Sequence, residues 1–105
     1  MHAGAEFLKL MNWKIAWTAE QQPAPAAASA TKVFGTEFAT EAYRLLMEVL
    51  GSAGTVRRGS PGAALQGRIE RMHRAALILT FGGGTNEVQR DIISAVGLGL
   101  PAARR

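Results

Sequence analysis

Phe81-Gly82-Gly83-Gly84-Thr85-Asn86-Glu87-Val88-Gln89-Arg90-Asp91-Ile92-Ile93 is the stretch around which the rest of the chain is organised. Three consecutive glycines make poor helix and poor strand, because glycine loses the most backbone freedom on ordering. A strong helix start follows at once. Asn86 is a favoured N-cap, Gln89 stands where it can close a capping box, and Glu87 puts negative charge in the first turn. Val88, Ile92 and Val96 recur at helical spacing, and Gly97, Gly99 and Pro101 end the pattern. A loop without side chains thus leads into a helix whose first N–H groups have no internal partner, and a ligand can approach such a junction closely. Two readings stay open: a backbone cradle for a ligand, or a plain glycine loop between helices. The lysine of a P-loop is missing.

Upstream, Gly62 to about Leu79 reads mostly as helix, with Leu65, Ile69, Met72 and Ala76 on one side. The apolar run Ala75–Phe81 could pass for a short strand, but nothing else in the chain offers a strand to pair with it. Ser52 to Pro61 is a loop rich in Gly, Ser and Arg with an exposed tip. Before it lies a long helix from about Ala26 to Leu50, whose Phe34, Phe38, Ala42, Leu45 and Val49 form one expected buried seam. Pro25 suits the first turn of that helix, Gly51 suits its C′ position, and Gly35 is taken as a tolerated interior glycine.

The first helix runs from Glu6 to about Gln21, ended by Gln22-Pro23-Ala24-Pro25. Its Phe7, Leu8, Leu10, Met11, Trp13, Ile15 and Trp17 cover most of the circumference, leaving Lys9, Asn12, Ala16 and Glu20 on the remaining face. A helix that apolar needs cover on two sides, from another subunit or a further segment. Trp13 and Trp17 suit core or interface packing, or the floor of a ligand pocket. The tail from Leu98 to Arg105 is expected to be extended and frayed.

At 105 residues and 48% hydrophobic content, the chain is one small domain or part of a larger protein. It has no cysteine, which removes disulfides and thiolate chemistry and fits a reducing compartment. There is no apolar run of membrane-span length and no basic, apolar signal-peptide start, so a cytoplasmic location is expected. The net charge is +4, and Arg57, Arg58, Arg68, Arg71 and Arg74 cluster with only Glu70 to oppose them. Such a band is either a solvated face or a match for an anionic partner. No helix-turn-helix, zinc or RNA-binding aromatic signature accompanies it, so nucleic acid is not expected as a partner.

The last helix and its glycine loop resemble the C-terminal signature of the acyl-CoA dehydrogenases, flavoenzymes that desaturate acyl-CoA thioesters. That signature reads aromatic, Glu, Gly, Thr, Ser or Asn, Glu, Ile, Gln, Arg; here Gly84-Thr85-Asn86-Glu87-Val88-Gln89-Arg90 follows it. Four further pieces are similar in the same order: Leu10–Trp17, Ala30–Glu37, Glu48-Val49-Leu50-Gly51-Ser52 for a Gln-x-x-Gly-Gly turn, and Ile69–Arg74. The resemblance implies an all-α domain of about four helices over residues 1–105. By the same resemblance, this domain forms an oligomer core and closes over a neighbouring subunit's FAD. It places Glu48, Val49, Leu50, Gly51 and Ser52 near the adenosine diphosphate end of FAD. Thr85, Asn86 and Glu87 would line FAD beside the acyl chain, and Gly82, Gly83 and Gly84 would face the acyl-CoA substrate.

The departures matter as much. Gly83 occupies the usual position of the catalytic Glu, so this chain is expected to carry no catalytic residue and to be inactive alone. Glu48 replaces Gln, where an ionised carboxylate would repel a pyrophosphate. Ser52 replaces Gly, Ala75 replaces Asp, and the loop from Gly54 to Gly67 is longer than the family's. The family's N-terminal helical domain and FAD-holding β-domain do not stand in these 105 residues, and the chain is expected to be a fragment, a split gene product or a degenerate relative. FAD is therefore expected only in a homo- or hetero-oligomer with a subunit carrying the β-domain. Capping and the helix dipole account for Glu87, and His2 and His73 lack metal-ligand spacing, so no metal is expected. The competing function is a helical assembly module that no longer binds flavin.

Overall fold

A computed structural model describes residues 1–101, and the expected fraying of Ala102–Arg105 lies outside the described residues. Four α-helices follow in order, α1 (His2–Thr18), α2 (Pro25–Leu50), α3 (Arg68–Leu79) and α4 (Asn86–Ile92), with no strand among the described residues. The run Ala75–Leu79 belongs to α3, so its apolar residues are helical. The chain forms two compact units: Met1–Gly35 with the segment from Gly83 onward, and Thr36–Gly82.

In the first unit, α1 starts four residues earlier than expected and stops at Thr18, whose hydroxyl donates back to the Lys14 carbonyl at 3.0 Å. The Thr18 carbonyl then accepts from Gln21 and Gln22, a turn that removes those residues from the helix. No residue of α1 is buried. Its Phe7 ring meets Phe34 of α2 edge-on at 4.9 Å, a contact worth about 1 kcal/mol beyond its buried area. Leu8 reaches to 3.2 Å of where a Cβ on Gly35 would stand, so Gly35 gives room to a neighbouring side chain and is more than a tolerated glycine.

The expected α2 seam is corrected. The buried residues are Ser29, Thr31 and Val33, while Val49 is 83% exposed, Phe34 is exposed, and Phe38, Ala42 and Leu45 are half-buried. Thr31 sits inside because its hydroxyl donates to the Ala27 carbonyl at 2.9 Å, which satisfies it within its own helix. After α4 comes one π-turn, Ile93–Gly97, where a Cβ on Gly97 would fall 2.9 Å from that of Ala26. The backbone therefore approaches the start of α2 at a residue with no side chain. Leu98 and Leu100 fold back through N–H bonds to the Ile93 and Ser94 carbonyls, so this part of the tail is not extended.

In the second unit, α2 ends at Leu50 and Gly51 takes a left-handed φ of 57° before the 3₁₀ turn Gly51–Thr55. The segment expected to be helical from Gly62 is instead irregular as far as Arg68. Leu65, Gln66 and Gly67 are all left-handed, with φ of 47°, 56° and 67°. Each non-glycine residue there costs about 1–2 kcal/mol. Gly67 is buried, and a Cβ on it would stand 2.5 Å from the Arg58 nitrogen, so the Arg57–Arg58 backbone rests directly on it. The start of α3 is thereby set by a tertiary contact.

Candidate functional site

The glycine loop is held from both sides. Lys32 Nζ donates to the Gly84 carbonyl at 2.9 Å and to Asn86 Oδ1 at 2.7 Å, while Gln89 Nε2 donates to the Gly83 carbonyl at 2.8 Å. Asn86 and Gln89 are buried, each with its polar group satisfied. The N-cap is Thr85, not Asn86: the Thr85 hydroxyl accepts from Val88 N–H at 3.4 Å. Gln89 closes no capping box, because it lies four residues after the Thr85 cap, one past the position a box requires, and its Nε2 braces the loop instead. Of the expected stripe, Val88 and Ile92 are half-buried and Val96 is exposed.

Glu87 is exposed at the first turn of α4. Its own backbone N–H, then the Thr85 hydroxyl, hold its carboxyl below the usual range, with smaller help from Arg90 and Lys32. This is a carboxylate committed to a helix start, where the hydrogen bonds that favour its charged form outweigh the desolvation that opposes it. Gly83 has φ 69° with nothing within 4 Å of an added Cβ, so the loop presents open space and bare backbone there. Gly84, at φ 96°, is closed by Gln89 Nε2 at 3.0 Å from an added Cβ.

The residues Glu48–Ser52 belong to the other unit. The Glu48 carboxylate pairs with Arg44 Nη1, and Glu41 grips the same guanidinium at 2.6 and 2.7 Å. The hydrogen bond to Glu41 leads in raising the Arg44 pKa, and Arg44 in turn lowers that of Glu41. Glu48 is therefore not an isolated negative charge, and the Glu41–Arg44–Glu48 cluster keeps a formal net charge of −1. Val49 projects outward, Gly51 makes the left-handed turn, and the Ser52 carbonyl accepts from the Thr55 hydroxyl at 2.9 Å.

Sequence reading overlooked Lys32 and Gln89 as the struts of the loop. Lys32 stood in the quoted Ala30–Glu37 run without a role, and only its distant partners reveal one. Among the described residues no group of three His, Cys, Asp or Glu side chains could hold a metal, and no helix is long and apolar enough to cross a membrane.

Residues 1–98 match the family model for the acyl-CoA dehydrogenase C-terminal domain. The chain is 69% identical to acyl-CoA dehydrogenase FadE26 of Mycobacterium tuberculosis, over all of this chain and 27% of that protein. A solved structure of the ChsE4-ChsE5 complex from Mycobacterium tuberculosis is similar at a TM-score of 0.89 and 72% identity, covering 97% of this chain and 26% of that one. The Tcur3481-Tcur3483 steroid acyl-CoA dehydrogenase superposes at a TM-score of 0.90 with 43% identity, covering 97% of this chain and 27% of that one. The chain thus spans about a quarter of the length of the relatives it matches. With all-α structure, the glycine-loop signature and this match over nearly its whole length, the chain belongs to the acyl-CoA dehydrogenase family, as a C-terminal helical domain.

Proposed function

We propose that the chain acts as the C-terminal domain of an FAD-dependent acyl-CoA dehydrogenase, closing the flavin and acyl-CoA site of a neighbouring subunit in α,β-desaturation of acyl-CoA thioesters. The observation that carries this reading is the braced loop Gly83–Gly84, with exposed backbone leading into a helix start capped by Thr85. These residues fit a flavin: bare backbone at Gly83 leaves room for a planar ring, and the braced loop holds its shape without filling that room. When bound, FAD supplies the acceptor for the hydride leaving the substrate β-carbon.

In this reading Thr85, Asn86 and Glu87 stand beside the flavin, Glu48 to Ser52 beside its adenosine diphosphate end, and Gly82 to Gly84 beside the acyl group. Asn86 contributes indirectly, since its side chain is buried against Lys32. Gly83 can take no proton, so the α-proton passes to a base outside these residues. The pairing of two proteins in the similar structures supports a hetero-oligomer, and the steroid for which one of these enzymes is named suits a bulky acyl group over glycines. A cytoplasmic location completes the proposal.

The second reading, an assembly module without flavin, is favoured by α1: Leu10, Trp13 and Trp17 are 59%, 62% and 82% exposed, a patch suited to an interface. The two separate in one experiment. The chain is purified in complex with a subunit carrying the β-domain, and flavin absorbance is measured per complex. Retained flavin that bleaches with acyl-CoA is expected; a stable complex without flavin leaves only the assembly role.

A further inference from the structure

We propose that the start of α3 is a binding site for an organic phosphate of nucleotide type. Its phosphate would lie among Arg58, Arg68 and Arg71, and its apolar or ring-bearing body against Tyr43, Leu65 and Ile69. A hollow of about 180 Å³ is lined by Arg58, Leu65, Gln66, Arg68 and Arg71. A second, of about 580 Å³, is lined by Tyr43, Ile69 and the same Leu65, Gln66 and Arg68, so the basic and the apolar hollows adjoin. Among the described residues no carboxylate lines either one. The nearby acids have other work: Glu70 holds Arg74 at 2.6 Å, and Glu41 and Glu48 hold Arg44.

Gathering three guanidiniums without a counter-charge is unfavourable in an empty site and favourable around an anion, to which each can offer a planar fork of donors. The backbone is built to gather them. Arg68 and Arg71 share one face of α3 by their spacing. Arg58 is brought to them because Gly67 has no Cβ to hold its backbone off. Leu65 and Gln66 stay left-handed without being glycine, and strain of that kind concentrates at functional sites. The N-cap of α3 is Gly67, with no side chain serving the first-turn N–H groups, so the helix start adds favourable potential for an anion. This site stands whether or not the chain closes a flavin site.

The shared chemistry is a phosphate or diphosphate on a nucleoside, carried alike by CoA, by FAD and by free ADP. Calorimetric titration of the assembled protein with pyrophosphate, ADP, CoA and dephospho-CoA tests the site. Saturable binding is expected, weakened about tenfold or more by Arg71→Gln or Arg58→Gln, the loss of a charge-assisted hydrogen bond. Arg71→Lys should retain part of it, and Arg74→Gln, whose guanidinium lies outside the hollow, should change little. CoA binding more tightly than dephospho-CoA identifies the 3′-phosphate as the group held; equal binding with ADP as tight identifies the diphosphate. Circular dichroism of each variant separates lost binding from lost helix. Absence of saturable binding overturns the proposal, as does an equal effect of Arg74→Gln. So does an Arg71→Glu variant that sheds a subunit with anion binding unchanged, since the arginines then serve an acidic protein surface.

Discussion

Lys32 Nζ lies 2.7 Å from Asn86 Oδ1, joining residues 54 apart in the sequence and fixing the end of the glycine loop to α2. Asn86 is only 6% exposed, so this bond is made where water cannot readily replace it. Asn86→Ala should destabilise by about 1.5–3 kcal/mol, the range for a hydrogen bond to a charged group. Lys32→Met should cost at least as much, because the Gly84 carbonyl also loses its donor. Denaturant unfolding of both single variants and the double variant checks the coupling, which should be strongly non-additive.

Thr85→Ala removes the cap of α4 directly. The Val88 N–H to Thr85 distance of 3.4 Å is long, so the expected loss is at the lower end of capping effects, about 0.5–1 kcal/mol. Thr85→Ser should restore it. Hydrogen exchange at Val88 reports the cap specifically.

Acid should loosen the same turn. Glu87 has its folded-state pKa below the ordinary 4.5, so its contribution is present above that value and is lost as pH falls through the lower folded pKa. Glu87→Gln should flatten the stability profile below about pH 4.5 and leave that above pH 6 nearly parallel to the parent. Thermal melts between pH 3 and 7 would show a parallel acid limb if this account were wrong.

Gly67→Ala should be among the most damaging single changes. It combines a φ of 67° with a contact at 2.5 Å to backbone, and backbone cannot swing aside as a side chain can. The expected loss is about 3 kcal/mol, summing strain and overpacking. Gly62→Ala, at φ 81° with open space around it, should cost only about 1 kcal/mol. Chemical unfolding of the pair separates the two contributions.

Gly83→Glu tests the vacant base position. Space is available, but the φ of 69° should cost about 1–2 kcal/mol of stability. In an assembled, flavin-loaded complex the new carboxylate would have a raised pKa in apolar surroundings and give weak gain at best. Flavin bleaching by acyl-CoA reads the result. Full-rate bleaching before substitution places the base elsewhere, and bleaching only afterwards marks this half of the assembly as lacking it.

Much of this was readable in the chain. Three glycines followed by a capping-type residue located the loop and α4, since turn and helix-start preferences act over a few residues. Too many apolar residues on α1 announced a helix that this chain leaves uncovered, and Trp17 at 82% exposure agrees. The family resemblance also came from short runs in order. What the chain alone could not reveal were choices settled between distant residues. Asn86 has every local mark of an N-cap, yet Lys32 claims its oxygen and Thr85 takes the cap. Gly62 to Gly67 has helical composition, yet the Arg58 backbone packed on Gly67 delays α3 to Arg68. A local preference is worth about 1 kcal/mol or less per residue, and a buried charge-assisted bond or a backbone clash exceeds it. Sequence by itself therefore determined the helical class and the position of the glycine loop. Which residue caps the last helix, and which arginines stand together, was decided only when the folded chain brought Lys32 to Asn86 and Arg58 to Gly67.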